Sequence, residues 1–215
     1  MIRLTEHYFS YFLPKINCYT YCMRSIRLLV VVAATVLIGI VSCAPRTVWL
    51  PRANGVWYNS SGKLVHWNRN RFPLVIALDS SISFVDFLHM NIAMEHWNTQ
   101  VGADVFVFDA ERPADIYFEK TDLPDVNEEV QLQGLASLQE FDGEVINCRI
   151  RLDVATSVED ATVVLVHELG HCLGLTHDSW PGSVMFPHAA ESGRQILQDD
   201  LEFVRWQRVG ILNQK

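Results

Sequence analysis

Clusters of basic residues are absent from the 215-residue sequence, and so are internal repeats and low-complexity tracts. The formal net charge is −8 at pH 7, and the first 42 residues contain four basic residues and one acidic residue, so the acidic excess lies in the rest of the chain. A surface of that sign repels polyanions. We therefore expect neither nucleic acid nor an anionic membrane surface as a partner of the main domain.

Long hydrophobic runs are also lacking, because the longest, Leu28–Val41, is too short for a comfortable membrane span. Two arginines precede this run and small residues follow it, a layout typical of a signal peptide. Signal peptides start with a short basic segment, so translation is predicted to begin at Met23. Residues 1–22 are then an upstream extension, and residues 23–42 are the signal peptide.

The last four residues of that region, Ile-Val-Ser-Cys at 40–43, resemble a bacterial lipobox. In a lipobox the cysteine is lipidated and becomes the new N-terminus, which makes Cys43 a candidate lipidation site. In the alternative, the apolar run is an uncleaved signal anchor whose basic residues stay inside. Both alternatives predict an extracytoplasmic, membrane-attached protein, and release as a secreted protein is the remaining possibility.

Cysteine is sparse, with five residues in the chain. Cys18 and Cys22 precede the predicted start, and Cys43 is the lipidation candidate. Cys148 and Cys172 remain as an even pair in an oxidising compartment, where a disulfide is possible. The alternative, two buried free thiols, stays open because the sequence gives no geometry.

The rest of the chain, 49% hydrophobic overall, is sufficient for one domain with a core, predicted over residues 62–215. Residues 43–61 have turn residues and no sustained period, which indicates a tether. Leu74–Leu78 is predicted as a strand, followed by a helix over 84–100 that Ser83 caps. The residues expected to form the buried stripe of this helix are Val85, Leu88, Ile92, Met94 and Trp97.

Further strands are predicted at "VFVF" and "ADIYFE", and a short extended piece near "GLASLQ" within the acidic loop 121–144. "EVINCRIRLD" alternates and predicts a strand with Val145, Asn147 and Arg149 on one face. Its opposite face would carry Ile146, Cys148, Ile150 and Leu152.

A second helix is predicted from Val158 or Asp160 through "HELGHCLG", and it is apolar on most sides. A buried helix has little reason to carry histidines and a glutamate unless something pairs them. His167 and His171, four apart, project from one face about 6 Å apart along the axis, so both can bind one zinc ion. Glu168 lies beside the metal, where it can take a proton from water.

Gly174 follows where the helix would end with positive φ, which glycine adopts without penalty. The chain can then turn back and bring His177 to the metal as a third ligand. Three protein ligands leave one position open, as catalytic zinc requires, whereas structural zinc sites have four. The pattern therefore predicts one catalytic Zn²⁺.

These residues, HExxHxxGxxH from His167 to His177, resemble the signature of the metzincin zinc peptidases, which is followed by a methionine turn. Met185 in "SVMFP" is the Met-turn candidate, and the absence of a tyrosine after it makes the sequence most similar to matrixins and their bacterial relatives. The resemblance covers about residues 62–210. It implies an α+β fold: a twisted mixed sheet with a long helix and an active-site helix, and a small C-terminal subdomain with a final helix.

The resemblance further implies a zinc endopeptidase with Glu168 as general base, acting on an extended peptide that pairs with an edge strand near Gly134–Gln139. Met185 would form an apolar floor below the zinc and not ligate it. No propeptide with a cysteine switch is recognisable, so autoinhibition by that route is not expected. We expect a monomer.

For several other polar residues, a role in the site competes with an ordinary structural role. His188 could line the pocket after the cut or be a solvated loop residue, and Asp178 could support the site or simply form a turn. Asp199 and Asp200 are expected to cap the last helix. The remaining histidines of the domain, His66, His89 and His96, are expected at the surface or at caps.

Two other functional classes compete with the endopeptidase. One is a zinc-binding, non-catalytic lipoprotein that binds peptides, against which the retention of Glu168 argues. The other is a hydrolase of cell-wall peptide crosslinks, which an acidic domain facing a polyanionic wall makes less attractive. Only substrates distinguish them, because the motif is common to all three.

Overall fold

The computed structural model describes residues 55–124, 132–187 and 194–210. All of these belong to one compact unit, Trp49–Lys215. The predicted extension, signal peptide and lipidation site, with Cys18, Cys22 and Cys43, lie outside the described residues, as does His188. Within the described part of the chain, no helix combines the length and apolarity needed to cross a membrane.

A mixed five-stranded sheet is the framework of the domain, with strand order β2-β1-β3-β5-β4. Its strands are β1 Leu74–Leu78, β2 Phe106–Val107, β3 Ile116–Thr121, β4 Gly134–Phe141 and β5 Glu144–Asp153. All neighbours pair in parallel except β4, which runs antiparallel to β5 and ends the sheet on one side. The predicted α+β class and mixed sheet are confirmed.

In the described residues three α-helices accompany the sheet: α1 Phe84–Val101, α2 Val158–Cys172 and α3 Gln198–Val209. A short 3-10 helix at Arg69–Arg71 precedes β1. The core lies between the sheet and the helices and includes two fully buried tryptophans. The indole of Trp97 donates to the Val166 carbonyl at 2.9 Å, and that of Trp67 donates to the Cys172 carbonyl at 2.6 Å. These bonds attach α2 to the core without leaving indole N–H groups unpaired.

The start of α1 is as predicted, because Ser83 and Asp86 form a reciprocal capping box. The predicted buried stripe is wrong for Val85, Leu88 and Ile92, which are 41–54% exposed. Apolar residues occur on more than one side of this helix, so periodicity alone did not identify the inner face. The face that packs inward carries Met90, Ala93, Met94, Trp97 and Val101.

The predicted alternation of β5 is wrong at its beginning. Val145 is buried, whereas Ile146 is 49% exposed. The cause is a β-bulge: Glu140 pairs with Val145 but Gln139 pairs with Asn147, so Ile146 has no partner on β4. Beyond the bulge Cys148, like Ile150 and Leu152, faces the core as predicted.

The predicted tether ends earlier than residue 61. Val56 forms an antiparallel bridge with Leu175, and Tyr58 forms one with Leu64. Residues from Gly55 onward are therefore part of the domain. Pairing across more than 100 residues leaves no periodic signal in the sequence, so composition indicated only a loop.

Cys148 on β5 and Cys172 at the end of α2 are joined by a disulfide, with their Cα atoms 5.6 Å apart. Both residues are fully buried. The bridge ties the helix that carries the HExxH motif to β5, an inner strand of the sheet.

Candidate metal centre

Helix α2 carries the first half of the centre. Its N-cap is Ser157, whose side chain accepts from the Asp160 backbone N–H, and it ends at Cys172 in the core. His167 and His171 project from the same face, with ring centroids 4.6 Å apart. The spacing of the motif and the helical period together produce this pair.

The chain reverses at Gly174, which has φ +89°. A Cβ atom at this position would lie 2.9 Å from the Val65 carbonyl oxygen, so both the backbone conformation and the space favour glycine. The reversal brings His177 back to the helix, where its Nε2 lies 3.2 Å from the Nε2 of His171. The structure thus places the three predicted ligands together.

Backbone carbonyls orient the two helical imidazoles. The Nδ1 of His167 lies 2.7 Å from the Val184 oxygen, and the Nδ1 of His171 lies 2.8 Å from the Leu175 oxygen. Because a carbonyl only accepts, each Nδ1 carries the proton and each Nε2 keeps its lone pair. The three histidines offer ligand atoms within 4.8 Å of one another. Among the described residues, they form the cluster that could hold a metal ion.

The electrostatics of this pair favour neutral rings. Burial lowers the pKa of His167 and of His171 to about 4, with a smaller contribution from neighbouring charged groups, and the hydrogen bonds to the backbone oxygens partly oppose the fall. Both imidazoles are therefore uncharged near pH 7, as metal coordination requires. A divalent cation fits this donor set, because neutral imidazole is a preferred ligand of zinc.

Glu168 lies one step round the helix and is 6% exposed. Burial raises the pKa of its carboxyl group to about 7, and a hydrogen bond from the Ala136 backbone on β4 partly opposes the rise. Its Oε2 atom is buried and has no hydrogen-bond partner among the described residues. A bound cation would lower this pKa again, because a nearby positive charge favours the carboxylate.

Gly134 on β4 leaves room for that carboxyl group, because a Cβ atom there would lie 2.8 Å from Oε1 of Glu168. Any larger residue would displace the glutamate or the strand. Sequence reasoning assigned Gly134 only to the edge strand, and no local pattern indicated this contact.

Met185 lies directly below the helix and is 1% exposed. A Cβ atom on Gly170 would overlap its sulfur and approach Trp97 Cζ2 to 3.2 Å. The Met185 carbonyl accepts from the Asp178 backbone N–H at 2.9 Å, which connects the methionine to the loop after His177. The Met185 sulfur therefore packs against the helix at Gly170, where only a glycine leaves room for it, and its role as an apolar floor below the metal stays a prediction.

The other polar candidates lie elsewhere or act locally. His66 stacks edge-on against Trp206, and His89 bonds to Thr162. Asp178 accepts from the Trp180 backbone N–H at 2.6 Å, as a turn aspartate does.

The predicted cap of the last helix needs a correction. The N-cap is Leu197, which makes no side-chain bond, and Asp199 and Asp200 lie in the first turn of α3. Asp200 nevertheless accepts from the Leu197 backbone N–H. The aspartate therefore supplies one half of a capping box whose other half a leucine cannot provide.

Comparison with known proteins agrees with this geometry. Residues 77–206, more than half of the chain, match the family model described as Matrixin. The chain belongs to the matrixin family. Matrixins are zinc metallopeptidases, and the group formed by His167, His171 and His177 is where such a protein would hold its metal.

A local match links this matrixin to a plant protein, "Metalloendoproteinase 5-MMP" of Arabidopsis thaliana. The two are 39% identical over 57 residues, which is 26% of this chain and 16% of the relative. The match thus spans about one sixth of that relative's length. The family match begins at residue 77, so neither Trp57 nor the bridge at Val56 is part of it.

Proposed function

We propose that this matrixin is a zinc-dependent endopeptidase with Glu168 as its general base. The observation that carries the proposal is the convergence of three imidazoles beside a buried carboxyl group. Their ligand atoms lie within 4.8 Å of one another, and Glu168 Oε2 has no partner among the described residues. A merely structural zinc site would not require that carboxyl group.

His167, His171 and His177 would hold the ion. When bound, zinc supplies Lewis-acid polarisation of the peptide carbonyl and of the attacking water. The backbone oxygens of Val184 and Leu175 keep the two helical rings in the tautomer that leaves Nε2 available.

Glu168 performs the proton transfers. Its carboxylate accepts a proton from the attacking water and then donates that proton to the nitrogen of the departing amine. Burial restricts the competing hydrogen bonds that bulk water would make with it. The Ala136 N–H and the close approach of Gly134 position this carboxyl group. Because water is the attacking group, no nucleophilic side chain is needed.

The substrate would be an extended peptide bound at β4. This strand is the last of the sheet, with β5 as its neighbour on one side, and it carries both Gly134 and Ala136 beside the glutamate. A peptide pairing with the other side of the strand would pass the carboxyl group and the histidines. The proposed substrate class therefore follows from the position of the edge strand.

We also propose an extracytoplasmic location, with attachment through lipid on Cys43 or through the apolar run before it. The support is the signal-peptide layout of residues 23–42, and a buried disulfide agrees with an oxidising compartment. Mass spectrometry of the N-terminal peptide from membranes tests it. A diacylated Cys43 supports the lipoprotein, whereas an intact segment before it supports the anchor.

The experiment for the catalytic proposal compares zinc content and casein cleavage of the full chain with those of Glu168→Gln. We expect one zinc per chain in both proteins and at least about a 100-fold lower cleavage rate for the variant. Glu159→Gln is the matched control, because Glu159 is exposed at the start of the same helix.

Three outcomes of this experiment contradict or redirect the proposal. A chain without zinc would refute it. Zinc without cleavage by any of the proteins would favour a non-catalytic binding protein or a hydrolase of cell-wall peptides. Equal cleavage by Glu168→Gln and its parent would remove the glutamate from the mechanism.

A further inference from the structure

One carbonyl oxygen beside the metal centre accepts two hydrogen bonds. The Leu175 oxygen lies 2.8 Å from Nδ1 of His171 and 2.9 Å from Nε1 of Trp57. A backbone carbonyl has two lone pairs, so both donors can bind it at once. The indole N–H of Trp57 thus binds the same oxygen atom that orients His171, a predicted metal ligand.

The backbone around this oxygen is held from the same side. The Trp57 N–H donates to the Gly174 oxygen at 3.0 Å, and Val56 forms a bridge with Leu175. Leu175 itself donates to the Gly170 oxygen at 3.1 Å and is fully buried. The segment Gly55–Trp57 and the loop after α2 therefore form a short antiparallel pair that contains the acceptor.

The position of Trp57 is not that of a core residue. It is 41% exposed, whereas Trp67 and Trp97 are fully buried and donate to carbonyls that orient no predicted ligand. The Trp57 indole also meets the His171 ring edge-on, with centroids 6.4 Å apart. Its indole thus contacts His171 and the loop after α2, while its backbone oxygen accepts from the Val65 N–H at 2.8 Å.

We propose that Trp57 is a positioning residue for the metal ligand His171. Its N–H fixes the direction of the Leu175 carbonyl, and that carbonyl fixes the rotation of the imidazole. This inference rests on the proposed function, because it takes His171 as a zinc ligand. His171 would then be oriented by the Leu175 carbonyl and, behind it, by Trp57, which lies outside the matched family region 77–206.

The test uses Trp57→Phe in the full chain, which keeps an aromatic ring and removes the N–H donor. Zinc affinity is measured by competition with a chromophoric chelator, and the geometry of the site by the visible absorption bands of bound Co²⁺. We expect zinc affinity to fall roughly tenfold, the low end for outer partners of zinc histidines, and the cobalt bands to shift. Tyr58→Phe is the control, because this neighbour is 57% exposed and loses only a hydroxyl group.

The outcomes separate the inference from the proposed function. Reduced affinity with altered cobalt bands in Trp57→Phe alone, at an unchanged melting temperature of the metal-free protein, supports the inference. Unchanged affinity and bands overturn it while the proposed function stands, and so does an equal loss in Tyr58→Phe, which indicates general loosening of the segment. A parent protein that binds no zinc overturns the proposed function and the inference together.

Discussion

The two halves of the metal centre are held in place by different combinations of burial and hydrogen bonding. The helix half, with His167, Glu168 and His171 on α2, is placed by burial: the helix packs against the sheet and α1 and has a disulfide at its end. The loop half, residues 173–186 with His177 and Met185, contains no regular helix or strand. It reaches the core through Leu175, Val184 and Met185, and backbone hydrogen bonds fix the path of the chain between them.

Two of those bonds reach other parts of the chain, and one lies within the loop. Thr176 donates to the Gly55 oxygen and Val184 to the Gln195 oxygen at 2.9 Å, whereas Asp178 donates to the Met185 oxygen at 2.9 Å. Apolar burial is non-directional and tolerates small shifts, whereas a hydrogen bond weakens steeply once its angle changes. We therefore expect substitutions in the helix half mainly to lower the free energy of unfolding. Substitutions in the loop half should mainly disturb the geometry of the metal centre.

Removing the disulfide should have the largest effect on stability, and it acts on the helix half. The bridge joins residues 24 apart in sequence, so its loss in Cys148→Ala/Cys172→Ala should lower the free energy of unfolding by about 3 kcal/mol. Urea denaturation with and without reductant measures this. The double variant should not respond to the reductant, and equal midpoints for parent and variant would show that packing alone holds α2.

The contact between the two halves can be tested at Gly170. A methyl group there would overlap the sulfur of Met185, so Gly170→Ala should cost roughly 2 kcal/mol of stability. Adding Met185→Ala should recover part of that loss, because the smaller side chain makes room. A double-mutant cycle by urea denaturation gives the coupling. Simple additivity would mean that helix and methionine do not constrain each other.

A smaller, pH-dependent effect is expected at Asp200, next to the loop half. Burial, with lesser contributions from Asp178 and Asp199, raises the pKa of the Asp200 carboxyl group to about 6 from its ordinary 3.8. The folded state therefore holds the proton more tightly than the unfolded state. The destabilisation is fully present above pH 6, and it disappears as the pH falls to about 4 and both states become protonated.

Asp200→Asn should accordingly stabilise the metal-free chain by roughly 1–2 kcal/mol at pH 8 and by nothing near pH 4. The amide oxygen can still accept from the Leu197 N–H. The control is Asp199→Asn, an exposed position in the same first turn, where losing a charge should be neutral or slightly harmful. Thermal unfolding in chelator across this pH range measures both, and a pH-independent gain would rule out the buried charge as its cause.

Local sequence rules predicted the parts of the molecule that local forces build. Capping chemistry was enough to predict Ser83 as the helix start, and β-branched residues were enough to predict the strand Leu74–Leu78. The convergence of the three histidines followed from the helix period and one glycine with positive φ. Prediction failed where apolar residues occurred on both faces of a helix or strand. The exposed Ile92 and the bulged Ile146 are both apolar, so residue type could not tell the face on which each would lie.

Apart from the disulfide, for which the two remaining cysteines made a pair possible, long-range contacts could not be predicted from the sequence. Nothing near Trp57 indicates that its indole would meet the Leu175 carbonyl 118 residues later, and the Val184 and Ala136 backbone groups have no side-chain signature. The helix period was enough to predict the ligands of the helix half. The partners that orient them are backbone groups, which every residue carries and no pattern distinguishes.

Trp57 also gives the metal centre an optical signal of its own. Its ring centroid lies 6.4 Å from that of His171, while Trp67 and Trp97 are enclosed in the core. A half-exposed indole emits at longer wavelength than a buried one, and because Trp180 is also 50% exposed, the difference between the parent and Trp57→Phe isolates the Trp57 emission. A paramagnetic ion bound by the histidines would quench that emission, and the unlabelled protein would thereby report the occupancy of its own metal site.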